Sequence, residues 1–164
     1  PNPGPCGAGV FVSSPTNAWE FSVALGRGTN AIGELWALAF ACALMLALDV
    51  PLPPIFIATD SMLSLDIIEY RSRPKKNIEI AHLARYYLWR LRERTSVIPF
   101  WVAGHAGIQG IDHADHMATL GVLNSAKVGG GMSHYTNFIT KDPAAFVDNP
   151  HTLGTDLNAD KLPP

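Results

Sequence analysis

Two kinds of apolar spacing alternate along this chain of 164 residues, and the alternation limits the folds open to it. Short stretches that are continuously apolar, or apolar at every second residue, predict strands, whereas apolar residues spaced three and four apart predict helices. Their order is hairpin, helix, strand, helix, helix, strand and helix. Strands that alternate with helices assemble into layers, so we expect an α/β fold with helices flanking a mixed central sheet.

The predicted strands cover residues 9–12, 20–25, 55–59 and 97–103, and the predicted helices cover residues 30–49, 60–70, 78–94 and a segment from near residue 111. Thr29 or Asn30 can cap the first helix, and Pro51 forbids its continuation. The strand from Ile55 to Thr59 is continuously apolar, which is typical of a strand covered on both faces.

The chain is expected to form one domain over residues 1–127. Apolar side chains make up 48% of the sequence and charged ones 16%, a balance that supports a single core of ordinary size. From residue 128 to 164 the sequence has a triple glycine, scattered prolines and no clear periodicity. We expect this segment to be a linker or a largely disordered tail.

Composition excludes several classes of protein. A formal net charge of −2 argues against coating nucleic acid by bulk electrostatics, although eight of the twelve basic residues lie between residues 71 and 94. That basic segment is either a solvated helix face or a strip that faces phosphates. The longest apolar run, Leu35 to Leu48, has fourteen residues. It is shorter than the ~20 residues needed to cross a bilayer, so no membrane association is expected.

Cysteine usage and the N-terminal sequence bear on location. Cys6 and Cys42 are too few for a disulfide framework, which favours a reducing compartment. No charged region precedes an apolar stretch at the N-terminus, so we expect no signal peptide. The expected location is therefore intracellular, in the cytoplasm or nucleus.

Three carboxylates, Glu34, Asp60 and Asp115, lie at positions that core packing does not explain. Each has an ordinary interpretation: Glu34 as a first-turn partner of the helix dipole, Asp60 as an N-cap and Asp115 as a surface residue. A buried, unpaired carboxylate would be costly, so a cation is expected to meet them. Oxygen ligands without cysteine suit Mg²⁺ or Mn²⁺ better than zinc.

Four short stretches occur in one order and at spacings that fit a known family. They are Gly4-Pro5-Cys6-Gly7-Ala8-Gly9-Val10, Thr29-Asn30 followed by Glu34-Leu35, Ala58-Thr59-Asp60-Ser61, and Gly104-His105-Ala106-Gly107 followed by Ala114-Asp115. Each alone is a weak signal, but four in register argue against chance. Over about residues 1–123 the chain resembles the type 1 ribonuclease H family, in the style of retrotransposon domains associated with reverse transcriptases.

The resemblance implies a ribonuclease H-like fold with a mixed five-stranded sheet. It also implies endonucleolytic hydrolysis of the RNA strand of RNA/DNA hybrids, leaving a 5′-phosphate and a 3′-hydroxyl. The family's site holds two Mg²⁺ ions, or Mn²⁺, on four carboxylates, and Glu34, Asp60 and Asp115 match three of those positions. His105 matches the family's mobile histidine, which assists proton transfer or product release. These four residues are the expected catalytic set.

Further matches concern substrate and partners. Asn2, Arg27 and Thr29 match family positions that grip a phosphate of the DNA strand, and Asn30 matches one that reaches the minor groove, where 2′-hydroxyls distinguish RNA from DNA. The expected partner is an RNA/DNA hybrid, read by shape with little sequence preference. A covalently linked upstream polymerase domain and a monomeric state are also expected.

The sequence departs from the family pattern at its start. The family's first aspartate precedes the Asn-Pro-Gly-Pro turn on the first strand, and here that turn begins at Asn2. We expect that the first strand and one metal ligand are missing from this chain, which is then either a fragment of a longer polyprotein or a decayed copy. Ala31 and Ile111 replace asparagines that are frequent in the family, which affects fine substrate contacts.

Two other functions stay open. One is a catalytically inactive ribonuclease H-like module that serves as a nucleic-acid-binding or structural part of a retroelement polyprotein. The other is a zinc site built from His105, His113 and His116, because His113 and His116 are three residues apart on a predicted helix.

Overall fold

The computed structural model describes residues 2–14, 17–128 and 133–140, and its helices and strands follow the predicted order. The elements are β1 (Gly4–Ser13), β2 (Asn17–Gly28), α1 (Asn30–Leu46), β3 (Ile55–Thr59), α2 (Met62–Ile68), α3 (Ile78–Arg92), β4 (Val97–Trp101), α4 (Gln109–Val128) and β5 (Ser133–Thr140). The predicted α/β class, with a ribonuclease H-like arrangement of strands and helices, is confirmed.

Strands of both orientations are present, in two sheets. The antiparallel sheet has the order β1-β2-β5, and the parallel sheet consists of β3 and β4. Within the described residues β1 and β3 are not hydrogen-bonded neighbours, and the expected absence of the family's first strand from this chain stays a prediction. Helix α1 connects the two halves by packing against β1 and against α3, whereas α2 and α3 reach β4.

The core lies between the sheets and the first three helices. Its largest fully buried side chains include Phe21 of β2, Leu35 and Leu44 of α1, and Leu91 of α3. Burying such side chains contributes about 1.5–3 kcal/mol each before entropy is counted. On the parallel sheet, Phe56, Ile98 and Phe100 share the opposite face and are exposed.

Helix α4 covers β1 and β2 at the closest distance that two backbones allow. A Cβ atom added at Gly9 would overlap the carbonyl oxygen of Ala114, and one added at Gly121 would overlap that of Val23. At Gly33 of α1 the added atom would overlap the carbonyl oxygen of Gly7. Strand β1 is therefore held between α1 and α4 by positions that admit only glycine.

Helix α1 begins as the sequence predicts and ends slightly earlier. Thr29 is its N-cap, and the Thr29 side chain accepts a hydrogen bond from the amide of Ile32. The helix ends at Leu46 rather than near residue 49. Glu34 lies beyond the first turn, which contains no acidic residue, so its interpretation as a first-turn dipole partner is wrong.

The segment after residue 127 is described in part. Residues 133–140 form β5, which pairs antiparallel with β2 from Asn17↔Thr140 to Ala24↔Ser133. The expected tail otherwise lies outside the described residues, and the domain boundary at residue 127 stays a prediction. Among the described helices, none combines the length and apolar character that crossing a bilayer requires.

Candidate functional site

Asp60 and Ser61 follow β3 directly, at the carboxyl end of the parallel sheet, where ligands commonly bind in α/β folds. Ser61, not Asp60, is the N-cap of α2, because its hydroxyl accepts from the amide of Ser64 at 3.2 Å. The same hydroxyl donates to Oε2 of Glu34 at 2.7 Å. Asp60 is exposed and does not cap α2. Glu34 is held by its hydrogen bond from Ser61, the residue next to Asp60.

Asp115 of α4 lies close enough to Asp60 for their charges to interact. The pKa of Asp115 is raised above the ordinary aspartate value, first by burial and then by repulsion from the Asp60 carboxylate. Asp112 adds repulsion, and His105 acts in the opposite direction. The chain therefore brings Asp60, Asp115 and His105 close enough for their charges to interact.

The end of β4 holds Asp60 in place. The indole nitrogen of Trp101 donates to the backbone oxygen of Asp60 at 3.1 Å, and the amide of Val102 donates to the oxygen of Thr59 at 2.9 Å. A Cβ atom at Gly104 would lie 2.8 Å from Oδ2 of Asp60, so the backbone passes directly beside the carboxylate. Trp101 is 46% exposed even though its indole is hydrogen-bonded.

His105 lies in an exposed loop between β4 and α4. Its backbone is left-handed, with φ of 56°, a conformation that non-glycine residues rarely adopt. Gly107 in the same loop has φ of 74°. A loop held in such conformations exposes the imidazole to solvent, within electrostatic range of Asp115.

The candidate carboxylates are the kind of ligand that a hard divalent cation prefers, but they do not form a compact group of three. Glu34, Asp60 and Asp115 offer only carboxylate oxygens, and the repulsion between Asp60 and Asp115 is of the kind that a bound cation relieves. Within the described residues, however, no group of three or more His, Cys, Asp and Glu side chains is close enough to hold a metal ion. Glu34 meets Ser61 rather than the two aspartates.

The zinc alternative needs His113 as a ligand, and His113 is engaged elsewhere. Its Nδ1 lies 3.1 Å from Oε2 of the buried Glu20 in β2. Its ring stacks on Phe11 of β1. In the part of the chain that the structure describes, His105, His113 and His116 form no metal-sized group, which contradicts this alternative.

The four residues expected to contact nucleic acid gather at one end of the β1–β2 hairpin. The register pairs Gly4 with Gly28, so Asn2, before β1, lies near the end of β2 and the start of α1, which carry Arg27, Thr29 and Asn30. Asn2, Arg27 and Asn30 are exposed. Thr29 is half-buried and also serves as the helix cap.

Five of the eight basic residues between residues 71 and 94 make contacts within the fold. Arg85 donates to the oxygens of Ile67 and Ser72 and lies over the ring of Tyr70. Four further arginines contact a carboxylate or backbone oxygens; they are Arg71 on Asp66, Arg90 on Glu93, Arg92 on Glu69 and Val97, and Arg94 on Leu46, Leu48 and Val50. The remaining cations that are exposed and make no such contact within the described residues are Arg73, Lys75 and Lys76. A phosphate-facing strip would be confined to that loop.

Sequence reasoning missed Ser61, Trp101 and Glu20. A signal existed for Ser61, which follows Asp60 and precedes Ser64 at the spacing of a helix cap. Glu20 was overlooked because the alternation of Phe21, Val23 and Leu25 identifies only one buried face of β2. Both faces are buried, and Glu20 is 5% exposed.

Residues 1–122 match the family model of RNase H. The comparison with curated proteins found no match. Among solved structures, the N-terminal RNase H domain of Rv2228c from Mycobacterium tuberculosis is similar at 19% identity and a TM-score of 0.49, over 75% of this chain and 94% of that one. The RNase H domain of prototype foamy virus is similar at 20% identity and a TM-score of 0.48, over 71% and 91%.

RNase H1 from the archaeon Halobacterium salinarum is similar at 16% identity and a TM-score of 0.45, over 72% of this chain and 96% of that one.

Proposed function

The chain belongs to the RNase H family, and from that premise we propose that it hydrolyses the RNA strand of RNA/DNA hybrids. The observation that carries the proposal is the gathering of Asp60, Asp115 and His105 beside the end of β3, with Glu34 anchored through Ser61 to the same loop. These residues come from separate elements, which indicates a site assembled by the fold rather than by local sequence.

Glu34, Asp60 and Asp115 are the residues that would hold Mg²⁺ or Mn²⁺. When bound, a pair of such ions supplies a nucleophilic water and neutralises the charge on the leaving oxygen. Burial and then repulsion from Asp60 raise the pKa of Asp115, and a cation would offset that repulsion. Trp101 and Gly104 restrict the movement of Asp60 while this happens.

His105 would move protons at the same site. Its imidazole is exposed and lies within electrostatic range of Asp115, and an imidazole can both accept and donate a proton. In this role it protonates the leaving oxygen or assists product departure. The left-handed backbone at His105 supports a functional constraint on this loop, since such conformations persist where the surroundings enforce them.

The substrate would be held by the end of the β1–β2 hairpin. Exposed Asn2 and Arg27, together with Thr29, would bind a phosphate of the DNA strand, and Asn30 would reach the minor groove of the hybrid. Arg73, Lys75 and Lys76 would add phosphate contacts from the loop before α3. Most of these contacts are to backbone phosphates, so sequence preference should be weak.

The proposal includes a fourth carboxylate upstream of Pro1, on a strand that joins β1 to β3. It further includes an upstream polymerase domain on the same polypeptide, a monomeric protein and an intracellular location. The competing function, a catalytically inactive binding or structural module, is favoured by the absence of a closed three-ligand cluster in the described residues. A ribonuclease would cleave the hybrid that it binds, whereas the inactive module would bind the hybrid without cleaving it.

A cleavage assay separates them. The protein is prepared with the residues encoded immediately before Pro1, and a hybrid with labelled RNA is incubated with Mg²⁺. We expect RNA cleavage that falls about a hundredfold or more on Asp60→Asn, because a metal site supplies several kcal/mol of transition-state stabilisation. Asp49→Asn is the matched control, since Asp49 is exposed and lies outside the site.

Full activity of Asp60→Asn would remove the metal-site assignment. Hybrid binding without cleavage in the parent protein would favour the inactive module.

A further inference from the structure

Helix α4 carries Asp115, and one side chain near its start is fixed by two neighbouring strands at once. Phe11 of β1 and Glu20 of β2 are directly opposite each other in the antiparallel register. Both meet His113: Oε2 of Glu20 lies 3.1 Å from its Nδ1, and the Phe11 ring stacks on its imidazole with centroids 4.7 Å apart and planes 13° apart. We call Phe11, Glu20 and His113 the histidine clamp.

The clamp lies on the opposite side of α4 from the candidate site. Residues two apart on a helix point in nearly opposite directions, since each residue turns the helix by about 100°. His113 points to the hairpin, and Asp115 lies within range of Asp60 and His105. Rotating or sliding α4 would therefore move both side chains together, and fixing His113 fixes the direction in which Asp115 leaves the helix.

The rest of the α4 interface has few features that would set this position. Gly9 and Gly121 set how closely α4 approaches the hairpin, but glycines have no side chains that would interlock and fix the rotation of the helix. Two buried serines add polar anchors further along: the Ser22 hydroxyl donates to the oxygen of Met117 at 2.7 Å, and the Ser125 hydroxyl donates to that of Cys6 at 2.6 Å. The clamp is the anchor nearest to Asp115 on its N-terminal side.

Burying the Glu20 carboxylate between the hairpin and α4 carries a desolvation cost that an apolar side chain would not. Apolar residues of similar volume often replace buried polar pairs without loss of stability, and the best-attested benefit of retaining such pairs is a defined register. Glu20 is 5% exposed, in a strand whose neighbours are apolar or small. A polar pair at this point is consistent with selection for the position of α4 rather than for stability alone.

We propose that the histidine clamp positions Asp115 for the cation site, so that His113 is a positioning residue for the proposed reaction. This inference rests on the proposed function, because it takes Asp115 as a metal ligand. It predicts that altering His113 changes metal affinity through Asp115, with no direct contact between His113 and the ion.

The test measures binding of Mn²⁺ alone by isothermal titration calorimetry, with the same N-terminally extended protein that the cleavage assay uses. His113→Phe keeps a flat ring on Phe11 and removes both ring nitrogens. His113→Asn keeps a polar nitrogen near the place of Nδ1. We expect His113→Phe to weaken Mn²⁺ binding about tenfold, as removal of supporting partners of ligands does, and His113→Asn to restore most of it. His82→Phe, at an exposed histidine on α3, is the control and should leave affinity unchanged.

A double-mutant cycle identifies the route of the effect. If His113 acts through Asp115, His113→Phe should cause no further loss in an Asp115→Asn background. Melting temperatures are recorded for every variant, so that a general loss of folding is recognised. If His113→Phe lowers the melting temperature and leaves Mn²⁺ affinity unchanged, the clamp is only structural and the inference is overturned, while the proposed function stands. If Asp115→Asn alone leaves Mn²⁺ affinity unchanged, Asp115 is not a ligand and both fail.

Discussion

The hydroxyl of Ser61 donates a 2.7 Å hydrogen bond to the carboxylate of Glu34, linking the loop after β3 to helix α1. The same oxygen caps α2 by accepting from the amide of Ser64. One buried serine therefore sets the start of a helix and the orientation of a candidate metal ligand. This double role makes Ser61 a sensitive position for both stability and activity.

Replacing Ser61 tests that role. Ser61→Ala should lower the free energy of unfolding by about 1–2 kcal/mol, because the α2 cap and the bond to Glu34 are lost together. Ser61→Thr keeps a hydroxyl and should retain most of the stability. Urea denaturation measures the difference, and equal losses in both variants would show that the hydroxyl is not what matters.

Asp115 should reduce stability at neutral pH. The pKa of Asp115 is raised, so the folded chain binds this proton more tightly than the unfolded chain. The free energy of unfolding therefore falls as pH rises from the unfolded-state pKa through the folded-state pKa. Asp115→Asn should therefore raise the melting temperature at pH 7 without divalent metal. Well below the ordinary value of 3.8 the two proteins should converge, since both then carry a neutral group. Asp49→Asn serves as control, and a gain of the same size at every pH would contradict the explanation.

Two glycine substitutions distinguish the cost of a steric clash between β1 and α4 from the cost of a strained backbone. Gly9→Ala should lower the free energy of unfolding by about 3 kcal/mol or more, because its methyl group has no space beside Ala114. Gly107→Ala meets no atom within 4 Å and suffers only from a φ of 74°. Its cost should be about 1 kcal/mol. Chemical denaturation compares them, and similar losses would contradict the claim that α4 touches β1 at backbone distance.

Arg94 should matter for stability and Lys76 should not. The Arg94 guanidinium binds the oxygens of Leu46, Leu48 and Val50 and so secures the chain after α1. Arg94→Ala should cost about 1 kcal/mol, and Arg94→Lys should not recover it, because one ammonium cannot span three carbonyls. Lys76→Ala should leave thermal unfolding unchanged and weaken binding to an RNA/DNA hybrid. A stability loss in Lys76→Ala would show that the loop cations are also structural.

Shortening the chain tests the domain boundary. A protein ending at Lys127 retains the contacts among β1, β2, α1, α3 and α4, so it should still unfold cooperatively. Loss of the β5 pairing with β2 removes an edge strand and should lower the melting temperature by about 5 °C or less. A chain ending at Thr140 is the comparison. Failure of the shorter chain to fold would place the boundary beyond residue 127.

Periodicity predicted the order of elements and the Thr29 cap, because these depend on neighbouring residues. It placed the first strand at residues 9–12, whereas β1 begins at Gly4. The glycine-rich stretch before residue 9 looks like a turn by composition, and it becomes a strand because β2 provides hydrogen-bond partners from Gly28 onwards.

The polar residues of the site were only partly predictable. Glu34, Asp60 and Asp115 were singled out because their chemistry is unusual at those positions, but the sequence could not show that Glu34 binds Ser61 while the charge of Asp60 acts on Asp115. The basic segment misled for a similar reason. Arg85 and Arg94 look like solvent-facing charges in sequence, and only the folded chain brings backbone oxygens to them.

The contact between Gly9 and Ala114 also limits what α4 can do when its charges are unfavourable. A helix separated from the hairpin by side chains could move towards it and so carry Asp115 away from Asp60. Here the backbones of Gly9 and Ala114 are already in contact, so α4 cannot move in that direction. Uptake of a proton or of a cation would lower the repulsion without moving the helix, so close packing on one side of α4 ties the charge of Asp115 on the other side to the ions around it.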